Sequence, residues 1–218
     1  KNSSARLVCG DTKVVPKGCA DGVFINTSGV GRILHSGISV KNLQVGDKII
    51  VSRDVGRHGA AILMAREGLA LESKLTSDCA TLWPIVEQLI AANIDIHAMR
   101  DATRGGLSAV LNEWARASEV GIEVVEDAVP VCDAVKGLCE LYGFEPFDLA
   151  NEGTFILAVP DASVEATLEI MQRFCHCEQS AVIGQVTDTR QGKVVLQTPW
   201  GSQRYLDVPQ GELLPRIC

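Results

Sequence analysis

The sequence predicts an α+β domain, a layered mixed sheet with helices, and three observations carry that expectation. Helical and strand-like segments are interspersed without the regular strand–helix–strand repetition of a parallel α/β fold. The last third is strand-like almost throughout, its segments joined by a turn at Gly192. Hydrophobic residues make up 46% of the 218 and charged residues 22%, enough to bury one large core or two modest ones and to exclude disorder.

From the amino terminus, RLVCG (6–10) has strand character and runs into the polar turn Gly10-Asp11-Thr12-Lys13. GVFINTSGVGRI (22–33) alternates and is broken by glycines, and the β-rich KIIVS (48–52) follows the turn NLQVGD. Three segments then predict helices: GRHGAAILMAREG (56–68), SDCATLWPIVEQLIAA (77–92), which opens on Ser and Asp, and TRGGLSAVLNEWARASE (103–119). GIEVVE (121–126) predicts a strand, VCDAVKGLCELYG (131–143) a helix, GTFILAVP (153–160) a strand and DASVEATLEIMQRF (161–174) a helix. SAVIGQVTDTRQGKVVLQT (180–198) and SQRYLDV (202–208) complete the strands.

The organisation expected is a first segment, 1–46, a main domain, 47–207, and a flexible tail, 208–218, with two prolines, one glycine and no periodicity. The tail ends on Cys218 and spans up to ~36 Å at roughly 3.3 Å per residue, enough for its thiol to travel between sites. The chain starts without Met inside a strand-like segment, which reads as a sequence cut upstream.

Charge narrows the function classes. The chain carries 20 Lys plus Arg against 27 Asp plus Glu, a net charge of -7, and has no basic stripe interleaved with aromatics, which argues against nucleic acid. No stretch approaches the ~20 apolar residues of a membrane span, and the start lacks a signal-peptide layout, so the expected place is the cytoplasm. Eight cysteines without CxxC pairs read as reduced thiols, seven of them as packing residues. Cys175-His176-Cys177 lacks a second half with zinc-ligand spacing.

Five places carry candidate chemistry, each with an ordinary alternative. Cys218 is an exposed-end thiol, either a carrier or nucleophile or a frayed end. Asp11, Thr12 and Lys13 combine a carboxylate, a hydroxyl and an ammonium at a glycine turn, which suits magnesium and phosphate but also an ordinary capped turn. Arg104, Gly105 and Gly106 open a helix and suit an anion, unless Asp101 or Thr103 caps it. His58 lies in the Gly-flanked turn Asp54-Val55-Gly56-Arg57-His58-Gly59, either an acid/base or a packing residue. Asn151-Glu152-Gly153 precedes the apolar strand, placing Glu152 at the mouth of a sheet as a base or as a plain loop residue.

Together GDTK, the Gly-flanked His58, DATRGG, NEG and the ending Pro215-Arg216-Ile217-Cys218 resemble the hydrogenase maturation proteins that belong with ATP-dependent enzymes similar to aminoimidazole ribonucleotide synthetase. The resemblance covers the whole chain. GDTK and DATRGG are shared across that superfamily, whereas PRIC is specific to the maturation proteins.

The resemblance implies a main domain like the synthetase C-terminal domain, with 1–46 holding remnant strands of an N-terminal ATP-binding domain. It implies ATP-dependent dehydration of a carbamoyl group on Cys218 to a thiocyanate, the source of the cyanide ligands of nickel-iron hydrogenase iron. By the same resemblance Cys218 is the carrier, Glu152 and Lys13 sit beside the thiocarbamate, and His58 is a further acid/base. Asp11 and Thr12 serve ATP, Asp11 with Mg2+, and Arg104, Gly105 and Gly106 hold phosphate. The partners implied are a carbamoyltransferase that loads Cys218, an iron-scaffold complex that accepts cyanide, and a second copy in a homodimer. Most of the family's first domain is missing, so this stretch alone is expected to be inactive. Two rivals are another ATP enzyme of the superfamily, such as a selenophosphate or purine-pathway synthetase, and a non-catalytic docking module; Cys218 and its tail discriminate them.

Overall fold

Buried apolar alternation in the central strands organises the structure, a computed structural model that describes residues 5–67 and 75–209. The chain divides into two compact units, Lys1–Ser36 and Gly37–Cys218, ten residues ahead of the expected division at 46.

In the first unit the described residues form no strand, so the two expected over 6–10 and 22–33 are not made. A strand's N–H and C=O groups need a neighbouring strand, and alternation alone supplies none. The side chains that suggested strands stand in solvent, among them Leu7, Val8, Phe24, Ile25 and Val30. A backbone turn closes there from the Cys19 N–H to the Pro16 carbonyl.

The second unit holds a seven-stranded sheet: β1 Lys48–Val51, β2 Ala98–Asp101, β3 Gly121–Val125, β4 Phe155–Val159, β5 Ala181–Thr187, β6 Val194–Gln197 and β7 Gln203–Tyr205. Its order is β2-β4-β1-β5-β3-β6-β7, with β3 and β6 parallel and every other pair antiparallel. The helices are α1 Arg57–Glu67, α2 Trp83–Ala91, α3 Gly106–Ala117, α4 Asp133–Tyr142 and α5 Val164–Met171. This is the α+β layered mixed sheet that the sequence predicts.

The layers follow from strand periodicity. All five residues of β4 are buried. Ile156 and Ala158 pack with Ile49 and Val51 of β1 against Leu107, Leu111 and Trp114 of α3. Phe155, Leu157 and Val159 turn to the opposite face with Ile50, against Ile85 and Leu89 of α2 and Ile170 and Met171 of α5. Successive strand side chains point to opposite faces, so a strand apolar at every position must be covered twice. Each such Leu or Ile contributes about 1.5–3 kcal/mol of burial. A third cluster joins α1 to α4 through Ala60, Leu63, Val135, Leu138 and Cys139.

Two elements differ from expectation. α2 starts at Trp83, with Pro84 in its first turn, rather than at Ser77. Proline is pre-set for a helix start, and Asp78 is engaged elsewhere. β2 had no signal in the sequence because AMRD is too short and mixed to alternate; pairing with β4, Ala98 opposite Ala158, makes it a strand. Among the described residues no helix is long and apolar enough to cross a membrane.

Candidate functional site

Three turns leave one edge of the sheet. β4 lies between β1 and β2 and runs antiparallel to both. The carboxyl ends of β1 and β2 therefore meet the amino end of β4, which gathers the turns holding His58, Arg104 and Glu152.

Asn151 ties these turns together. It is fully buried, and its Oδ1 accepts the Gly56 N–H at 2.7 Å. Its Nδ2 donates to the carbonyls of Ala102 at 2.9 Å and Leu149 at 3.1 Å, and its own N–H also donates to Ala102. One amide thus holds the turn after β1, the turn after β2 and the approach to β4. A carboxamide can do this because it offers an acceptor and two donors on a single planar group.

Asp78 makes a second tie. Its carboxylate is 1% exposed and accepts the N–H groups of Glu152 at 3.0 Å and Gly153 at 2.9 Å, and the Thr154 hydroxyl at 2.8 Å. The Asp54 carbonyl lies 3.3 Å from the same Thr154 hydroxyl as an alternative acceptor, bringing this loop against the His58 turn. A Cβ at Gly153 would lie 1.9 Å from the Asp78 carbonyl oxygen, a contact only glycine escapes. Gly153→Ala is accordingly expected to destabilise the domain by about 3 kcal/mol through overpacking, read from the urea midpoint. An unchanged midpoint would show that the two segments part freely.

The other expected residues fall as follows. His58, at the start of α1, is half-buried and its Nδ1 pairs with the Ser77 hydroxyl at 2.8 Å; that hydroxyl donates to the Cys79 sulfur at 3.1 Å. Glu152 is half-buried and Arg104 exposed. No side chain caps α3, so neither Asp101 nor Thr103 takes that role. Gly105 at φ +69° occupies the cap, and a Cβ on Gly106 would come within 2.4 Å of the Phe147 carbonyl oxygen. Only glycine lets this turn pass so close to the backbone before β4.

Asp11, Thr12 and Lys13 belong to the first unit and are exposed, the Asp11 carboxylate accepting the Thr12 N–H at 2.8 Å. Among the described residues no cluster of three or more His, Cys, Asp or Glu side chains forms a metal cage. A single carboxylate such as Asp11 still fits magnesium, which takes one or two carboxylates and completes its shell with phosphate and water. Cys218 lies outside the described residues.

Two of the described thiols are buried, Cys139 and Cys177, and burial pushes both up to about 11. Cys9, Cys19, Cys79 and Cys175 are exposed and Cys132 is half-buried, so packing accounts for fewer cysteines than expected. Burial also raises the Asp148 carboxyl.

Sequence reasoning missed Asp78 and the tying role of Asn151. Asn151 stood in the quoted NEG motif but carries no reactive group, and Asp78 read as a helix start.

Known proteins resemble this arrangement closely. Residues 44–197 match the family of AIR synthase related proteins, C-terminal domain. The carbamoyl dehydratase HypE of Rhodobacter capsulatus is 43% identical over 99% of this chain, which spans 64% of that protein's length. A crystal structure of the hydrogenase maturation protein HypE in complex with ATP superposes with a TM-score of 0.79 at 40% identity, covering 83% of this chain and 55% of that one. A HypE–HypF complex gives 0.76 at 36% identity, covering 81% and 58%.

Proposed function

The chain belongs to the family of AIR synthase related proteins, and from that membership we propose that it is part of a carbamoyl dehydratase of nickel-iron hydrogenase maturation. One observation carries this reading: identity to HypE of 43% extends across 99% of the chain, well beyond the family domain. The reaction is the ATP-dependent conversion of an S-carbamoyl group on Cys218 to a thiocyanate, the precursor of the cyanide ligands on the hydrogenase iron.

The chemistry assigns work to the three turns. A carboxamide cannot expel oxide, so its oxygen first attacks the γ-phosphorus of ATP and ADP departs. Two N–H protons then leave as the C≡N bond forms, and the oxygen departs with phosphate. Glu152 takes a proton, because Asp78 and Asn151 hold its loop at the sheet edge. Lys13 counters the charge developing on oxygen. The turn at Arg104, Gly105 and Gly106 receives phosphate oxygens, and His58 is a further acid/base. Asp11 and Thr12 face the nucleotide. Mg2+, held by Asp11 and the phosphates, would screen the phosphate charge.

Supply and delivery follow from the product. A carbamoyltransferase must load the thiol, a reading supported by the complex of HypE with HypF. An iron-holding scaffold complex accepts the cyano group, and the longer protein works as a homodimer. Free thiols throughout the described residues suit the reducing cytoplasm. The chain spans 64% of its relative's length, so by itself it is expected to turn over no ATP.

The test is the mass of the Cys218 peptide from the full-length, carbamoylated protein before and after ATP with magnesium. Loss of one water on Cys218 is the expected result. A carbamoyl group that persists would reduce the protein to a carrier, and a thiol that is never carbamoylated would point to another synthetase of the superfamily.

A further inference from the structure

A second feature lies beside the His58 turn, in a cleft of about 170 Å³ lined by Arg53, Asp54, Arg57, Cys175, His176 and Glu178, with Gln179 at its side. Asp54 is buried, its side chain 2% exposed, and is held between two arginines. Arg53 Nε reaches Asp54 Oδ1 at 3.2 Å and Arg57 Nε reaches Oδ2. Each guanidinium therefore spends only Nε on the carboxylate, and among the described residues neither uses its terminal nitrogens in a hydrogen bond or ion pair.

Anchoring through Nε fixes the plane of each guanidinium and leaves a two-pronged donor edge, the geometry that takes a carboxylate or a phosphate. The two side chains are only 15% and 24% exposed, so a bound oxyanion would meet partly desolvated cations. An independent observation points the same way. His176 Nε2 is buried and has no hydrogen-bond partner, and His176 is one of the residues that line this cleft. Burial and the neighbouring Arg53 hold its pKa below the usual value, so the ring is neutral and can donate one N–H to a ligand oxygen. The other charged group lining the cleft, Glu178, is exposed, so solvent screens its charge.

We propose that this cleft binds a small oxyanion, a phosphoryl or carboxylate group, between the terminal nitrogens of Arg53 and Arg57 with His176 completing the contact. Arg57 immediately precedes His58, so occupancy steadies the turn that carries the acid/base candidate. The inference rests on the cleft alone and stands whether or not the dehydratase reading does.

Cys175 lines the cleft and is exposed, which makes it a reporter. The full chain is treated with iodoacetamide and alkylation of Cys175 is followed by peptide mass, with inorganic phosphate, acetate or chloride at equal ionic strength. Exposed Cys19, in the first unit, is the internal standard, and buried Cys139 and Cys177 report that the fold stays closed. Phosphate or acetate at about ten times its dissociation constant is expected to slow Cys175 roughly tenfold, the bound anion shielding the thiol that lines the same cleft. Cys19 keeps its rate.

Protection by phosphate alone identifies a phosphoryl ligand, and protection by acetate alone a carboxylate. Arg57→Lys retains a cation beside Asp54 but loses the fork, and should abolish protection with an unchanged circular dichroism spectrum. No protection by either anion, equal protection by chloride, equal slowing of Cys19, or full protection in the folded Arg57→Lys protein would each overturn the proposal.

Discussion

Replacing Asp78 by alanine is expected to destabilise the domain by about 4 kcal/mol, the largest stability effect of any single site substitution considered for this protein. The substitution strands the Glu152 and Gly153 N–H groups and takes from the Thr154 hydroxyl its shorter partner, three donors that converge on one buried carboxylate. An unsatisfied buried donor costs about 1–3 kcal/mol, and water entering beside exposed Cys79 would recover part of the sum. For a domain of this size that corresponds to a fall in Tm of roughly 8–16 °C. Asp78→Asn keeps an oxygen acceptor and should cost about half as much, because it loses one acceptor and the charge assistance. Urea unfolding of the three proteins settles the order. Asp78→Ala within about 0.5 kcal/mol of the parent would show that the loop holds Glu152 by other means.

The second large effect is catalytic. In the full-length protein with Cys218 carbamoylated, Glu152→Gln is expected to slow thiocyanate formation by about 10²–10⁴, the usual loss when a positioned base is removed. Glutamine keeps the shape and leaves intact the peptide N–H that Asp78 accepts, so the loop and nucleotide binding should survive. Single-turnover mass measurement of the Cys218 peptide, beside an ATP-binding titration, separates the two. A rate unchanged by Glu152→Gln would assign Glu152 a purely structural place at the sheet edge and move the base to His58 or to the first unit.

The expected sites divide by what makes each visible. The glycine pair of DATRGG was legible as a turn open to close approach, although what Gly106 approaches is the Phe147 carbonyl; the need for Gly153 against Asp78 was not legible. The gathering of these turns at one edge was not legible, since it depends on β4 lying between β1 and β2. Asp78 was misread for a related reason. Beside an apolar run it looks like a helix cap, yet its partners lie 74 to 76 residues away. The strands expected in the first unit failed in the opposite direction, having the pattern without a partner.

The sequence by itself determined the α+β class, the helices and strands with strong periodicity, the glycine turns and the acidic surface. Each of these is set by residues within a few positions of one another: a side chain's preference for apolar cover, or a glycine's freedom at positive φ. The tertiary structure alone decided that AMRD becomes an edge strand, that Asn151 and Asp78 clamp three turns, and that two arginines share one buried carboxylate with their forks left over. Hydrogen-bonding groups have no preferred distance along the chain. Their partners are chosen only when packing of the sheet faces brings remote backbone together and excludes the water that would otherwise satisfy them.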